Sequence, residues 1–327
     1  MLCSFCLDDV RFKQEKIGNH LTPVHLCPTC NEQVPALYSQ GYRKYPPVVV
    51  SAIGFRQHGK TVYFASLFYT LKKLTLARDW VDFFTMGLDE DSLDTVYGNA
   101  GMLDAGALPD STPKNFPRPT MIRMEGVPVQ RDCTLLFYDT GGECFEKPTQ
   151  LVQFAGFVRR AKAAMLLISV ADLNDPRASM QELLNTYVVG MGELGGQTRP
   201  QHLVVVYTKA DRLVSRFRNG WSDIYTYLVR GSVEDLAQTD GYIARMKEMS
   251  DRLYEFTVHE LNAYEFINAA EANFKSVSFS IISALGTDPA GARLPVAIVP
   301  RRILDPVLWV MDKSLSRPER LLGWLWR

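Results

Sequence analysis

Apolar and polar residues alternate along the chain in blocks that are typical of an α/β protein. Short apolar, β-branched runs are bounded by glycine and polar residues, and helical patterns with apolar positions three and four residues apart separate most of them. This alternation predicts a doubly wound, mainly parallel sheet. The predicted strands are Val48–Ile53, Thr120–Met124, Cys133–Tyr138, Ala163–Val170, His202–Tyr207 and Val277–Ile282.

Three segments between the strands have different patterns. Lys60–Ala77 has helical spacing and contains neither Gly nor Pro, so it is predicted to be a helix. Asp79–Pro119 is rich in Gly, Asp and Pro and lacks sustained periodicity, which predicts a long functional loop at about residues 80–118. A mostly helical segment at about residues 213–273 is predicted to be an insertion that packs on the sheet.

Prolines and charge indicate the domain organisation and the compartment. The consecutive prolines Pro46 and Pro47 predict a boundary between a module of residues 1–45 and a nucleotide domain of residues 46–300, and residues 301–327 are predicted to be a helical tail. Lys plus Arg and Asp plus Glu each total 36, so no net charge recruits nucleic acid. We expect a cytoplasmic protein, with the Trp/Leu-rich end of the tail, Leu321–Trp326, as the candidate membrane contact.

Four of the six cysteines form two short pairs near the N-terminus, twenty residues apart. Each Cys-x-x-Cys pair can present two thiolates to one ion, and two pairs complete a tetrahedral, closed site. The spacing therefore predicts a structural zinc site in a small ribbon or knuckle, with two disulfides as the alternative. The predicted ligands are Cys3, Cys6, Cys27 and Cys30.

The loop after the first long strand has the pattern of a phosphate-binding loop. Residues 54–61 read Gly-Phe-Arg-Gln-His-Gly-Lys-Thr. Backbone N–H groups of such a loop wrap the phosphates, the lysine neutralises the outer ones and the hydroxyl can ligate Mg²⁺. The pattern predicts a nucleoside triphosphate as the ligand, and a chance glycine turn is the alternative. The predicted contacts are Gly54, Arg56, Gln57, His58, Gly59, Lys60 and Thr61.

Later loops, each after an apolar strand, complete the predicted site. Asp139 can hold Mg²⁺ through water, and the N–H of Gly142 can contact the γ-phosphate. In the sequence Thr208-Lys209-Ala210-Asp211, the carboxylate can accept from N1–H and the exocyclic amine of guanine, a donor pair that adenine lacks, while the lysine stem covers the base. Ser283 and Ala284 lie in a third loop whose backbone can contact the base oxygen.

Four motifs in this order and at these strand ends resemble those of a P-loop GTPase of the translation-factor-related class, over about residues 47–285. The resemblance implies GTP or GDP with Mg²⁺ as ligands. It places Lys60 on the β- and γ-phosphates, Thr61 and Asp139 at the metal, and Gly142 at the γ-phosphate. It also places Thr208, Lys209 and Asp211 at guanine. For the remaining metal ligand we predict Thr112, with Thr120 as the alternative.

Two positions depart from the pattern that the resemblance implies. Thr208 stands where asparagine is commonest, which leaves the discriminating Asp211 in place. Glu143 stands where many small GTPases carry a glutamine that orients water; a carboxylate can act as a base there but also repels the γ-phosphate. Arg56, within the phosphate loop, is predicted to point to solvent or to a partner, with an internal arginine finger as the alternative.

The N-terminal cysteine module, the long loop and the late sequence of residues 302–309 are similar to those of bacterial GTPase-like proteins of multi-gene conflict or defence loci. We therefore expect a slowly hydrolysing GTP switch that signals to a protein effector encoded in the same locus. The alternatives are a GTP-bound assembly module without hydrolysis and a generic P-loop ATPase. Binding of nucleic acid through the zinc module is a further alternative, to which Arg11, Lys13 and Lys16 contribute few charges.

Overall fold

A mixed sheet of seven strands forms the centre of the protein. The computed structural model describes residues 1–16, 23–73, 76–80, 82–128, 130–230, 239–291 and 293–314. The strands of the main sheet are β4 (Pro47–Ile53), β5 (Phe84–Gly87), β6 (Thr120–Glu125), β7 (Cys133–Tyr138), β8 (Ala163–Ile168), β9 (His202–Tyr207) and β10 (Ser276–Ile281). A separate three-stranded antiparallel sheet contains β1 (Lys13–Glu15), β2 (Val24–Leu26) and β3 (Gln33–Val34).

The order of the main sheet, β10-β9-β8-β4-β7-β6-β5, confirms the predicted fold class. The five strands from β10 to β7 pair in parallel, while β6 and β5 are antiparallel additions at one edge. All six predicted strands are present, with ends that differ by at most two residues. The protein therefore has a doubly wound, mainly parallel α/β fold.

Helices cover both faces of the sheet. Within the described residues they are α1 (Ala36–Gly41), α2 (Lys60–Lys73), α3 (Leu76–Asp79), α4 (Glu90–Asp104), α5 (Pro148–Phe154), α6 (Pro176–Glu193), α7 (Val214–Gly220), α8 (Ser222–Arg230), α9 (Thr239–Glu255), α10 (Tyr264–Asn273) and α11 (Asp305–Ser314). None of the helices in the described part of the chain combines the length and the apolar character needed to cross a membrane.

The central strand β4 shows how the core is divided. Val48 and Val50 belong to one cluster, with residues of α2 and α11, whereas Val49 and Ile53 belong to the other, with residues of α5, α6 and α10. Burial on both faces explains why the strand reads as a continuous apolar run. The carboxyl ends of the parallel strands meet at one edge, which is where the loops predicted to bind nucleotide emerge.

The prediction of a long loop over Asp79–Pro119 is wrong for part of that segment, because it contains β5 and the fifteen-residue α4. Only Ser92, Ala100 and Leu103 of α4 are buried. The helix therefore lacks the apolar stripe by which an amphipathic helix is identified in a sequence. The start of α4 is nevertheless encoded, since the Asp89 side chain accepts from the Ser92 N–H at 2.8 Å.

The two ends of the described chain are parts of the main structure. Leu2 and Tyr38 of the N-terminal segment pack in the same apolar cluster as Tyr138 of β7. At the other end, α11 lies across β8, β4 and β9 and contributes Val307 and Leu308 to the core. Leu321–Trp326, the candidate membrane contact, lies outside the described residues, and the predicted domain limits stay predictions.

Candidate functional site

The phosphate-binding loop connects β4 to α2 and has an unusual backbone. Gln57 and Gly59 have φ values of 64° and 81°, a left-handed conformation that turns the chain sharply before the first turn of α2. The ammonium of Lys60 lies inside this turn, where Nζ donates to the carbonyls of Gly54 at 2.8 Å and Phe55 at 3.2 Å. Burial lowers the pKa of Lys60 to about 8, with Asp139 opposing the shift. The loop thus encloses a desolvated positive charge that anionic phosphate would stabilise.

His58 fixes the loop to the neighbouring strands, a role that its place in the phosphate motif did not predict. Its ring is buried, and burial lowers its pKa to about 4, so the ring is neutral at pH 7. Nδ1 therefore carries the proton and donates to the Leu167 carbonyl of β8 at 2.9 Å. The carbonyl of His58 accepts from Thr208 Oγ1 at 3.0 Å. The hydroxyl of Thr208 thereby connects the phosphate loop to the loop predicted to bind the base.

Three residues that are distant in sequence meet at the start of α2. Thr61 Oγ1 lies 2.5 Å from Thr112 Oγ1, and the Thr112 hydroxyl donates to Asp139 Oδ2 at 2.7 Å. Thr120, the alternative to Thr112, instead begins β6 and pairs in register with Phe137. The structure therefore brings together the three predicted metal ligands.

The oxygens at this point fit a magnesium ion. Asp139 Oδ1 is buried and has no hydrogen-bond partner among the described residues. Burial raises the pKa of Asp139, and this desolvation outweighs the opposing effects of the Thr112 hydrogen bond and the charge of Lys60. Carboxylate and hydroxyl oxygens are hard ligands of the kind that Mg²⁺ prefers. Thr61, Thr112 and Asp139 are thus the residues that could hold the ion.

The loop after β7 lies directly on the phosphate loop. A Cβ atom at Gly142 would lie 2.4 Å from the backbone nitrogen of Arg56, so only glycine fits at this position. Next to this contact, Arg56 Nη2 forms an ion pair with Glu143 Oε1 at 2.7 Å. The Arg56 side chain, predicted to point to solvent or a partner, is 69% exposed and also pairs with Glu143, whose negative charge it compensates.

The predicted base-binding residues are all held by internal partners. The Ser283 hydroxyl donates to Asp211 Oδ1 at 2.5 Å and accepts from the Gly286 N–H at 3.0 Å. Lys209 has a left-handed backbone, with φ of 53°, and its Nζ donates to Asp172 Oδ2 at 2.5 Å. The carbonyl of Ala284 accepts from Ser66 of α2 at 2.7 Å.

Asp172 is a residue of this site that sequence reasoning missed. It follows β8 and also pairs with Arg212 and accepts from Ser169. Although burial opposes its ionisation, hydrogen bonds from Lys209 and Ser169 and the charge of Arg212 lower its pKa. Its place at the carboxyl end of a central strand is the pattern that could have identified it.

The four N-terminal cysteines converge as predicted. We use the term cysteine knuckle for residues 1–16 and 23–34, which carry them. All four sulfurs lie within 4.8 Å of one another, with separations of 3.8 Å for Cys3 and Cys30 and 3.6 Å for Cys6 and Cys27. These separations match the edges of about 3.8 Å expected when four sulfurs surround zinc at about 2.3 Å. All four thiols are free, and the donor set therefore fits one tetrahedral zinc ion.

Comparison with known proteins identifies the family. None of the curated proteins matches the chain. Two solved structures of the S. cerevisiae Ski7 GTPase-like domain, one bound to GTP and one to GDP and inorganic phosphate, are similar to 85% of the chain at 14% identity, each with a TM-score of 0.38. The chain spans about half of each of these chains, 52%. The family model for double-GTPase 2 matches residues 48–275, and the chain thus belongs to the double-GTPase 2 family.

Proposed function

We propose that this protein is a Mg²⁺-dependent GTP-binding protein that hydrolyses GTP slowly and signals its nucleotide state to a protein partner. Family membership supports GTP binding. The observation that carries the proposal is the meeting of Thr61, Thr112 and Asp139 around a buried carboxylate oxygen without a partner, beside the enclosed ammonium of Lys60.

Each end of the site has a proposed role in binding. At the phosphate end, Lys60 exchanges its carbonyl partners for the β- and γ-phosphates, and the N–H of Gly142 meets the γ-phosphate. When bound, Mg²⁺ would neutralise phosphate charge beside Thr61, Thr112 and Asp139. At the base end, Asp211 accepts from the N–H groups of guanine. Lys209 covers the base, and the backbone of Ser283 and Ala284 contacts its oxygen.

Contacts between two segments support a switch. We use the term Thr112 segment for residues 105–119, between α4 and β6. Its Asn115 carbonyl accepts from the Thr140 hydroxyl at 3.0 Å, and its Pro113 carbonyl accepts from the Gly141 N–H at 3.4 Å. Because this segment and the loop after β7 are bonded to each other, loss of the γ-phosphate would disturb both together. The proposed partner that binds according to the nucleotide state is a protein effector encoded in the same bacterial defence locus, in the cytoplasm.

The ion pair of Arg56 and Glu143 supports slow hydrolysis. Glu143 Oε1 lies 2.7 Å from Arg56 Nη2, so this carboxylate oxygen is directed to the guanidinium and not to a water beside the γ-phosphate. Zinc in the cysteine knuckle is proposed to be structural, because four thiolates leave no open position for a substrate.

Single-turnover hydrolysis, measured together with binding, tests the proposal. We expect the purified protein to bind GTP more tightly than ATP when Mg²⁺ is present, and to convert bound GTP to GDP with a low rate constant. Glu143→Gln is the variant whose hydrolysis rate constant is compared with that of wild type, and it should bind GTP as tightly as wild type does. Tight GTP binding without conversion would support the assembly module instead, whereas equal binding of ATP would contradict the assignment of Asp211.

A further inference from the structure

Tyr138 connects the cysteine knuckle to the predicted metal ligand Asp139, which is the next residue in the chain. The Tyr138 side chain is fully buried, and its ring stacks on Phe157 with centroids 4.9 Å apart. Its hydroxyl donates to the carbonyl of Ser4 at 2.6 Å. Ser4 lies between Cys3 and Cys6, so the cysteine pair fixes the position of this acceptor.

The same short loop of the knuckle also holds the Thr112 segment. The guanidinium of Arg118 lies 5.0 Å from the ring centroid of Phe5, the residue after Ser4, and Arg118 Nη2 lies 3.4 Å from Glu32 Oε2. Phe116 of this segment packs edge-on against Tyr138 at 6.4 Å. Thr112 and Asp139 therefore both lie in segments that the loop from Cys3 to Cys6 contacts.

The shape of this loop depends on an occupied cysteine site. Loops this short that carry paired cysteines are ordered by the ion they bind, so metal binding and local folding are one equilibrium. When the loop loses its shape, the buried Tyr138 hydroxyl loses its acceptor and Arg118 loses the Phe5 ring. An unsatisfied buried hydroxyl is unfavourable, so the packing around Tyr138 must adjust.

We propose that zinc in the cysteine knuckle increases the affinity of the nucleotide site for Mg²⁺·GTP, and that Tyr138 is the positioning residue that couples the two sites. The proposal rests on GTP binding at the site described above. Because coupling between two binding sites is reciprocal, Mg²⁺·GTP must increase the affinity for zinc by the same factor. The affinity of the nucleotide site for Mg²⁺·GTP would thus depend on the supply of zinc.

Tyr138→Phe is the direct test, because it removes the hydroxyl and keeps the buried ring. The matched control is Tyr187→Phe in α6, where an equally buried hydroxyl donates to Gln201 at 2.9 Å. GTP is titrated into the zinc-loaded full chain, with Mg²⁺ and in Mg²⁺-free buffer that contains no chelator, so that zinc stays bound. We expect Tyr138→Phe to bind Mg²⁺·GTP about fivefold more weakly than wild type and than Tyr187→Phe, with equal affinities in the Mg²⁺-free buffer.

Zinc affinity gives the second readout. Competition with a chromophoric chelator should show that Mg²⁺·GTP strengthens zinc binding in wild type and Tyr187→Phe, and that it does so less in Tyr138→Phe. Wild type that binds no GTP would refute the proposed function itself. Wild type that binds GTP, with equal GTP and zinc affinities in both variants, would refute the coupling alone.

A second variant keeps the test valid if Tyr138→Phe does not fold. Arg118→Gln removes the contacts of an exposed side chain with Phe5 and Glu32, and also a 3.9 Å ion pair with Asp91 of α4, so the fold is retained. We expect Mg²⁺·GTP affinity to fall about two- to threefold, again with no change in Mg²⁺-free buffer, and Asp91→Asn, which removes only the ion pair with α4, should keep wild-type affinity. Wild-type affinity in Arg118→Gln under both conditions would overturn the proposal.

Discussion

At the phosphate end of the site, Asp139 keeps one buried carboxylate oxygen without a partner among the described residues, whereas at the base end Asp211 is held by Ser283 and Lys209 by Asp172. The phosphate end therefore keeps a free acceptor oxygen that an added cation could take, while the base end is already ordered by its own side chains. Removal of Mg²⁺ should therefore affect the phosphate end, and a change of the nucleotide base should affect the base end of the same site.

The largest expected effect lies at the base end. Asp211→Asn should weaken GTP binding by about 2 to 4 kcal/mol, roughly thirty- to a thousandfold, because an amide cannot accept from both guanine donors. Xanthine nucleotides should gain, since they carry a carbonyl where guanine has its amine. Titrations with GTP, XTP and ATP measure the ranking. Asp288→Asn, at an exposed position, serves as the control. An unchanged ranking of the three nucleotides in Asp211→Asn would contradict the assignment of Asp211 to the base.

Lys60→Ala should produce the next largest effect, at the phosphate end. Loss of charge-assisted hydrogen bonds to phosphate should cost about 3 kcal/mol, or roughly a hundredfold in triphosphate affinity. The melting temperature should not fall, because the variant also removes a buried ammonium whose desolvation outweighs the stabilisation by nearby groups and lowers its pKa to about 8. Titration with a fluorescent GTP analogue measures the affinity. Lys73→Ala, at the exposed end of α2, is the matched control, and an equal affinity of the two variants would contradict the phosphate-loop assignment.

Asp139→Asn tests whether the unpartnered oxygen belongs to a magnesium site. Mg²⁺ should no longer strengthen GTP binding, a loss of roughly tenfold, while affinity in Mg²⁺-free buffer stays near that of wild type. The nucleotide-free variant should be as stable as wild type or more stable, since a neutral amide is less costly to bury than a carboxylate with one unpartnered oxygen. Titrations with Mg²⁺ and in Mg²⁺-free buffer without a chelator, and thermal melts, provide both measurements. Asp172→Asn at the base end should keep the full Mg²⁺ effect, and the same loss there would show that the two ends are not separate.

The last expected effect is on the free energy of unfolding and concerns His58, whose side chain and carbonyl connect the two ends. The folded-state pKa of about 4 lies below the unfolded value of about 6.5, so the unfolded chain binds more protons between these values. The free energy of unfolding should therefore fall as the pH drops from 6.5 towards 4, by about 2 kcal/mol at pH 5 from this residue. Denaturant unfolding at pH 7 and pH 5 measures the slope. His58→Asn should reduce the slope but not remove it, because burial also lowers the pKa of His202 to about 4. The exposed His259→Asn should leave the slope unchanged, and equal slopes in wild type and His58→Asn would refute the buried neutral ring.

Local patterns in the sequence predict the strands and the residues that follow them. Asp139 and Asp211 each come directly after an apolar strand or within a short loop that follows one, so their neighbourhood in space is set by the parallel sheet. Thr112 was selected by its position in a polar loop before β6, and the structure brings it to Asp139. These positions could be predicted because a strand end fixes them.

Other features depend on contacts between distant segments, and no local pattern records such contacts. Asp172 holds Lys209 only because β8 and β9 are neighbours in the sheet. The cysteine knuckle was predicted as a separate module, and its packing against Tyr138 depends on shape complementarity that the spacing of cysteines does not encode. Helix α4 was missed because so few of its side chains are buried.

The position of α11 has a consequence for biosynthesis. This helix covers one face of β4, β8 and β9, yet it begins at Asp305, whereas β4 ends at Ile53. At roughly 5 to 20 residues per second, the ribosome adds α11 about 12 to 50 s after β4 and about 5 to 20 s after β9, and α11 cannot cover the apolar face of these strands during that time. We therefore expect nascent chains that stop before residue 305 to bind chaperones that recognise apolar strands, and full-length chains to be released from them.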